Sequence, residues 1–182
     1  KLSDLLLETG LKDKAKWVLA EGSDASGMTR SIPIEKILDD CIIAWAMNGE
    51  ALRPEQGYPA RLVVPGWEGN MWVKWIRRLE FGDKPYMTRE ETSKYTDLLT
   101  SGKARMFTWV MDAKSVITSP SPEKPILSKG VQQLRGLAWS GRGKIKRVDV
   151  SIDGGKNWKI AQLHSPILGK SLTRFTMPFE WN

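Results

Sequence analysis

The sequence predicts an α+β protein of two domains, and two observations lead to this class. Short helical and extended segments alternate through the first 111 residues. From Ser115 onward, strand-like segments recur about every eight to twelve residues between turn residues, a spacing typical of a β-sandwich. We therefore predict one domain at 1–111, a boundary near Asp112, and a second domain at 112–182.

The first elements are predicted from apolar spacing and turn residues. Helical spacing over Leu2–Leu7 predicts a helix that ends at Gly10, and Trp17–Ala20 is predicted as a strand before a turn. Ser31, which a proline follows closely, is predicted as the N-cap of a helix that runs to about Asp40.

Apolar runs and turns predict the remaining elements. Cys41–Met47 is predicted as a buried strand from its apolar density, with Asn48-Gly49 as a tight turn after it. Arg77–Phe81 alternates in polarity and is predicted as a strand, and Asp153-Gly154-Gly155 is predicted as a hairpin turn. The strands predicted in the second domain are Ser115–Thr118, Val131–Trp139, Ile145–Ile152, Trp158–Leu163 and Leu172–Phe179.

The composition argues against several kinds of site. One Cys and one His exclude an internal disulfide framework and make a zinc cluster unexpected. The longest uncharged apolar run, Cys41–Met47, is far shorter than the roughly 20 residues of a membrane-spanning helix. Because the chain begins inside a predicted helix and the sandwich has five predicted strands, we expect a fragment that is inactive by itself.

The basic charge is concentrated in the second part of the chain. The net charge is +7, and residues 111–182 hold twelve Lys and Arg against five Asp and Glu, which accounts for all of it. Such an excess can attract nucleic acid or an acidic partner. A lysine-rich sheet surface explains the same excess and is the commoner case, so nucleic acid is not the expected partner.

The stretch from Gln56 to Trp75 is the strongest candidate for a binding site. Arg61 opens an apolar strand, Pro65-Gly66 ends it with a turn, and a loop then leads to Lys74. A guanidinium and an ammonium with peptide donors between them can surround an anionic ligand. A tight corner that carries two solvated basic side chains is the alternative, and the pattern alone favours neither.

Two groups of motifs resemble those of one enzyme family. The string GYPARLVVPGW at 57–67, with VKW at 73–75, resembles the pterin-binding stretch of the sulfite oxidase family of molybdenum enzymes, and most closely its bacterial Sox sulfur-oxidising members. The segments GLAWSG at 136–141 and RVDVSIDGG at 147–155 are similar to the immunoglobulin-like dimerisation domain of that family. The resemblance implies the C-terminal half of a molybdopterin-binding domain followed by an incomplete dimerisation domain.

The resemblance implies a molybdenum–molybdopterin cofactor and the residues that hold it. The positions that match the cofactor contacts of the family are Asp24, Gln56, Arg61, Trp72, Val73 and Lys74. Gln56 departs from the histidine of vertebrate-type members, so it keeps a hydrogen-bond donor but loses a titratable ring. Asp24 is equally well explained as a turn residue that binds its own backbone.

Tyr95 and Cys41 receive opposite interpretations. Tyr95 matches a tyrosine that reaches into the active site of the family, which implies a catalytic hydrogen bond to a metal oxo group or to a substrate oxygen, while an ordinary loop tyrosine is the alternative. The resemblance places the cysteine that binds molybdenum before the helix that begins this chain. Cys41 lies in an apolar run, where a thiol is inert, so we predict a structural role and no metal ligand within the chain.

The activity is likewise implied by the resemblance. It is that of a sulfite or sulfane dehydrogenase, which transfers an oxygen atom to a reduced sulfur compound and passes electrons to a c-type cytochrome. A homodimer formed through the second domain and a periplasmic location, without a membrane span, are also implied. The alternative is a non-catalytic basic β-sandwich module for binding or dimerisation, and steeply salt-dependent DNA binding would favour it.

Overall fold

The computed structural model describes residues 1–181 and divides into two compact units. The first unit is Lys1–Trp109, and the second begins at Val110. Strands dominate both units and the first also contains short α-helices, so the predicted α+β class is confirmed. None of the helices in the described part of the chain combines the length and the apolar character needed to cross a membrane.

The first unit contains short helices and short strands. Its helical segments are α1 (Leu2–Thr9), α2 (Ile34–Asp39), 3₁₀ turns at Pro54–Gln56 and Gly69–Met71, and a π-helical turn at Glu90–Lys94. Its strands are β1 (Trp17–Gly22), β2 (Thr29–Pro33), β3 (Ile42–Ala44), β4 (Ala46–Met47), β5 (Glu50–Ala51), β6 (Arg61–Val63), β7 (Ile76–Gly82), β8 (Thr96–Leu98) and β9 (Ala104–Met106). The helix predicted before Gly10 and the strands predicted near Trp17 and Arg77 are therefore confirmed.

The main sheet of this unit is antiparallel, with the order β2-β1-β7. Its middle strand, β1, is buried from Val18 to Gly22, and neighbouring strands pair with both of its edges. Smaller antiparallel pairs join β3 to β6, β4 to β5 and β8 to β9. The β3–β6 pair places Arg61 opposite Ala44, which fixes the start of the candidate binding stretch.

The N-cap role predicted for Ser31 is wrong. Ser31 lies within β2, opposite Leu19 of β1, and its hydroxyl accepts the backbone N–H of Tyr86 at 3.1 Å. The helix begins later, at Ile34, directly after Pro33. A serine before a proline fits both a cap and a strand end, and here cross-strand pairing determines the outcome.

The buried strand predicted at Cys41–Met47 is correct only in part. The run divides at Trp45 into β3 and β4, and Trp45 is 71% exposed whereas Cys41 is 1% exposed. These strands belong to two-stranded pairs, which cover their residues less fully than a large sheet does. The turn at Asn48-Gly49 is confirmed: it joins β4 to β5 with φ angles of 55° and 85°.

The second unit is a small β-sandwich. Its strands are β10 (Lys114–Ser119), β11 (Gly130–Trp139), β12 (Asp149–Val150), β13 (Lys159–Ile160), β14 (Gln162–His164) and β15 (Thr173–Trp181). One antiparallel sheet has the order β10-β11-β15-β14, and β12 pairs with β13 in another. Alternate residues of β15 are buried and join a core that includes Leu134, Val150, Phe175 and Met177.

Two predicted strands of this unit are shorter than expected. Of Ile145–Ile152, the pair Asp149–Val150 forms the strand, and the segment 158–163 divides into β13 and β14. The chain changes sheets at the buried Ala161, whose N–H donates to the carbonyl of Val148 at 2.9 Å. The alternation of apolar and polar residues continues unchanged where the chain passes from one sheet to the other. The sequence pattern therefore does not show where one strand ends and the next begins. The hairpin turn predicted at 153–155 is confirmed between β12 and β13.

Candidate cofactor site

Arg61 is the best-anchored cation of the predicted site. It is half-buried at the start of β6, where Nη1 donates to the carbonyl of Gln56 at 2.9 Å and Nη2 to that of Trp72 at 3.1 Å. Nε is buried and finds no hydrogen-bond partner among residues 1–181. Burial lowers the pKa of Arg61, but an arginine remains protonated at neutral pH. The structure thus presents a fixed cation with an unused donor.

Lys74 meets the same helical turn as Arg61. Its Nζ donates to the carbonyl of Glu55 at 2.7 Å and lies 5.0 Å from the centre of the Trp75 ring. Glu55 and Gln56 are adjacent in the 3₁₀ turn, so the two cations bind neighbouring carbonyl groups. An ammonium has three N–H groups, so Lys74 keeps donors for a ligand.

Gly57 allows the two basic residues to come together. Its φ of 109° is rare for a residue with a side chain. A Cβ added there would lie 2.9 Å from Cβ of Lys74 and 3.1 Å from Cβ of Arg61. The absence of a side chain at Gly57 therefore lets the chain pass between the two residues.

Trp72 and Val73 form the segment that leads to Lys74, and hydrogen bonds hold both residues in place. The carbonyl of Val73 accepts the N–H of Leu62 at 2.8 Å, and its side chain is 3% exposed. Trp72 is half-buried, and its indole N–H donates to the carbonyl of Trp67 at 3.2 Å. These contacts fix the segment that leads to Lys74 beside β6.

Asp24 lies next to this segment, in a turn that it also caps. Its carboxylate accepts the hydroxyl of Ser26 and, at 3.0 Å, the N–H of Met28. These hydrogen bonds, that of Ser26 foremost, lower the pKa of Asp24. A Cβ added at Gly22 would lie 3.1 Å from Oδ1 of Asp24 and 2.7 Å from the carbonyl oxygen of Lys74. The carboxylate and the backbone of Lys74 are therefore close neighbours.

Gln56 has a local structural use. Its Oε1 accepts the N–H of Arg53 at 3.0 Å, which closes the 3₁₀ turn, while its carbonyl holds Arg61. The side-chain N–H₂ group remains as a donor.

Tyr95 belongs to a second group of residues. It ends the π-helical turn and is 38% exposed, with its ring centre 5.5 Å from that of Phe107. The guanidinium carbon of Arg30 lies over the Tyr95 ring, 4.9 Å from its centre. Arg30 in turn donates to the carbonyl of Asn70, two residues before Trp72, at 2.8 Å. The two groups are thus linked through Arg30 and Asn70.

Cys41 is buried in the structure. Its thiol donates to the carbonyl of Lys36 at 3.2 Å, and its side chain is 1% exposed. Within residues 1–181, no group of three or more His, Cys, Asp and Glu side chains could hold a metal ion. The structural role of Cys41 stays a prediction.

Comparison with known proteins matches both units to one family. The model of the oxidoreductase molybdopterin binding domain matches residues 1–90, and that of the Mo-co oxidoreductase dimerisation domain matches residues 105–173. The mitochondrial sulfite oxidase of Drosophila melanogaster is 34% identical over 90% of this chain and 32% of its own length. The chain belongs to the sulfite oxidase family. The resemblance inferred from the motifs is therefore confirmed.

Two further relatives differ in their similarity to this chain. The crystal structure of the sulfane dehydrogenase SoxCD from Paracoccus pantotrophus is 62% identical, with a TM-score of 0.94 over 100% of this chain and 47% of that chain. An NADPH nitrate reductase of Mycosarcoma maydis is 31% identical over 87% of this chain and 19% of its own length. The chain thus spans a third or less of these curated relatives and about half of the solved one.

The residues present suit the molybdenum–molybdopterin cofactor of the family. Molybdopterin carries a terminal phosphate, which needs cations and N–H donors. Arg61 offers a buried, unpaired Nε, and Lys74 offers the remaining N–H groups of an anchored ammonium. The individual roles of the predicted site residues stay predictions.

Three residues that position the site were not found from the sequence. Gly57 and Gly22 permit close approaches to Lys74, and Arg30 lies beneath Tyr95. Gly57 stood within a quoted motif, but Lys74, which both glycines approach, is distant from them in sequence. No sequence pattern predicted a role for Arg30, because a lone arginine in a strand is ordinarily solvated.

Proposed function

We propose that the protein is a molybdenum-cofactor-dependent oxidoreductase that oxidises a reduced sulfur compound, sulfite or sulfane sulfur, by oxygen-atom transfer. The observation that carries the proposal is 62% identity with a sulfane dehydrogenase over the whole chain, against 31% with a nitrate reductase. Substrates of the family differ, so the much closer relative is the better guide to substrate class.

Arg61 and Lys74 would hold the cofactor through its phosphate. Both are fixed on carbonyls before any ligand binds, so little side-chain freedom is lost on binding. The loop of Asp24 is tied to the same segment, because the N–H of Ser23 donates to the carbonyl of Trp75 at 2.9 Å. When bound, the cofactor supplies a two-electron redox centre that exchanges oxygen with the substrate.

Tyr95 would donate a hydrogen bond to an oxygen of the substrate. Its ring is braced by Phe107 and by the guanidinium of Arg30, so its hydroxyl keeps a defined direction. A preorganised donor of this kind favours charge that develops on oxygen during the reaction.

The partners follow the same proposal. Electrons would leave to a c-type cytochrome, two copies would associate through the second unit, and the enzyme would work in the periplasm. The match of residues 105–173 to a dimerisation domain supports the association. Sedimentation of the full-length protein, alone and with a c-type cytochrome, tests both partners.

The test is metal, pterin and activity analysis of the full-length protein. We expect close to one molybdenum and one pterin per chain, with sulfite or thiosulfate rather than nitrate as substrate. A folded protein without molybdenum would contradict the proposal. The basic charge of the second unit also suits a non-catalytic binding module. Tight DNA binding that weakens steeply with salt would favour that alternative.

A further inference from the structure

Arg30 is a charged side chain that the structure buries completely. It lies in β2 and is 0% exposed. Nε donates to the carbonyl of Asn70 at 2.8 Å and Nη1 to that of Thr29 at 3.2 Å. These bonds fix the plane of the guanidinium, but Nη2 is buried and has no hydrogen-bond partner within residues 1–181. A buried donor on a charged group is costly to leave unpaired, so it points to a missing acceptor.

The nearby carboxylate of Glu91 does not supply that acceptor. Burial is the main influence and lowers the pKa of Arg30, whereas the charge of Glu91 opposes this effect. Glu91 is itself buried, and its oxygens accept the N–H groups of Ser31 at 2.7 Å and Thr88 at 3.3 Å. The carboxylate of Glu91 therefore accepts backbone N–H groups, and Nη2 of Arg30 stays available to donate to a ligand.

Another polar group borders the same place. The Tyr95 ring lies over the guanidinium at 4.9 Å, and the Tyr95 hydroxyl is near enough to favour the charged form of Arg30. Nη2 of Arg30 and the Tyr95 hydroxyl can thus donate to one acceptor.

We propose that Arg30 binds an oxygen of the anionic substrate, with Nη2 as the donor beside the Tyr95 hydroxyl. The inference rests on the proposed function and narrows its substrate to sulfur oxyanions, which carry several oxygen acceptors. The guanidinium suits this role because it stays charged and forms strong hydrogen bonds to anions. Nη2 is covered in the structure, so an oxygen that binds it must displace the atoms packed around it.

The test compares Arg30→Gln and Arg30→Lys in the full-length, cofactor-loaded protein. We expect the KM for sulfite or thiosulfate and the inhibition constant for sulfate to rise about 10- to 100-fold in Arg30→Gln. The effect on kcat should be smaller, and Arg30→Lys should recover part of the loss. Arg105→Gln, at an exposed arginine paired with Asp97, is the matched control and should change neither constant. Unchanged constants in folded Arg30→Gln would overturn the proposal.

A second measurement does not depend on the folding of these variants. Crystals of the wild-type full-length protein are soaked in selenate, and an anomalous peak is sought within hydrogen-bond distance of Nη2 of Arg30. A peak there supports the inference, and its absence at saturating selenate overturns it. Absence of molybdenum and of sulfur oxidation would refute the proposed function separately, whatever the selenate experiment shows.

Discussion

Arg61 and Lys74 donate hydrogen bonds to neighbouring carbonyls of one helical turn, those of Gln56 at 2.9 Å and Glu55 at 2.7 Å. Thirteen positions apart in sequence, they meet because β6 carries one and the segment beside β6 carries the other. Two cations held side by side repel each other, and an anion bound between them offsets this repulsion. This relationship is the physical basis of the proposed cofactor site.

Lys74→Ala in the full-length protein should lower its content of molybdenum and pterin. The substitution removes a charged donor, which weakens cofactor retention about tenfold or more. Metal analysis by mass spectrometry and pterin fluorescence after acid oxidation measure the change. Lys84→Ala, at an exposed lysine, is the control and should retain a full cofactor load. Full loading of Lys74→Ala would contradict the assignment.

Gly57→Ala should destabilise the first unit and disturb the site. The new Cβ would meet Cβ of Lys74 at 2.9 Å in a backbone with φ of 109°. Gly102→Ala has φ of 77° but open space around it, so it isolates the backbone cost, about 1–2 kcal/mol. We expect Gly57→Ala to cost about 1–3 kcal/mol more, because crowding adds to that strain. Chemical denaturation measures both, and equal losses would show that the crowding is unimportant.

Cys41→Ala should leave the metal in place. The thiol is buried and bonded to the carbonyl of Lys36, so its loss affects packing and costs about 1–2 kcal/mol. Molybdenum content and the free energy of unfolding of the full-length variant are the two readouts. Loss of the metal without loss of stability would make Cys41 a ligand and overturn its structural role.

Asp153 should titrate far below an ordinary carboxyl group. The N–H of Asn157 and the hydroxyl of Ser151 donate to it and lower its pKa from 3.8 to about 2. Because the folded state binds this proton more weakly, its contribution to stability is present above pH 3.8 and is lost as the pH falls towards about 2. A carboxyl NMR titration measures the pKa directly, and Ser151→Ala should raise it. A midpoint near 3.8 in the wild type would contradict the assigned hydrogen bonds.

Local patterns predicted much of the fold, and distant contacts account for what was missed. Apolar spacing and turn residues are local features, so they could predict the strands at Trp17 and Arg61 and the turn at Asn48-Gly49. Ser31 was misassigned because its serine–proline context fits a cap, whereas its partner in β1 lies twelve positions away.

The candidate site shows the same division. The residue types of Arg61 and Lys74 predicted an anion site, and the motifs predicted the family. Gly57 separates Arg61 from Lys74, and Arg30 is fully buried under Tyr95. Both features depend on how segments that are distant in sequence pack together. No spacing rule contains that information, because burial of an arginine contradicts its ordinary preference for the surface.

The double variant Arg61→Gln/Lys74→Met of the full-length protein tests the central claim most directly. Molybdenum and pterin per chain are measured beside the wild type and beside Lys84→Met/Arg105→Gln, a pair of exposed positions outside the site. We predict that the site variant retains less than about a tenth of the wild-type cofactor while remaining folded, and that the control retains it all. Wild-type cofactor content in a folded site variant would contradict the claim that these two cations hold the cofactor.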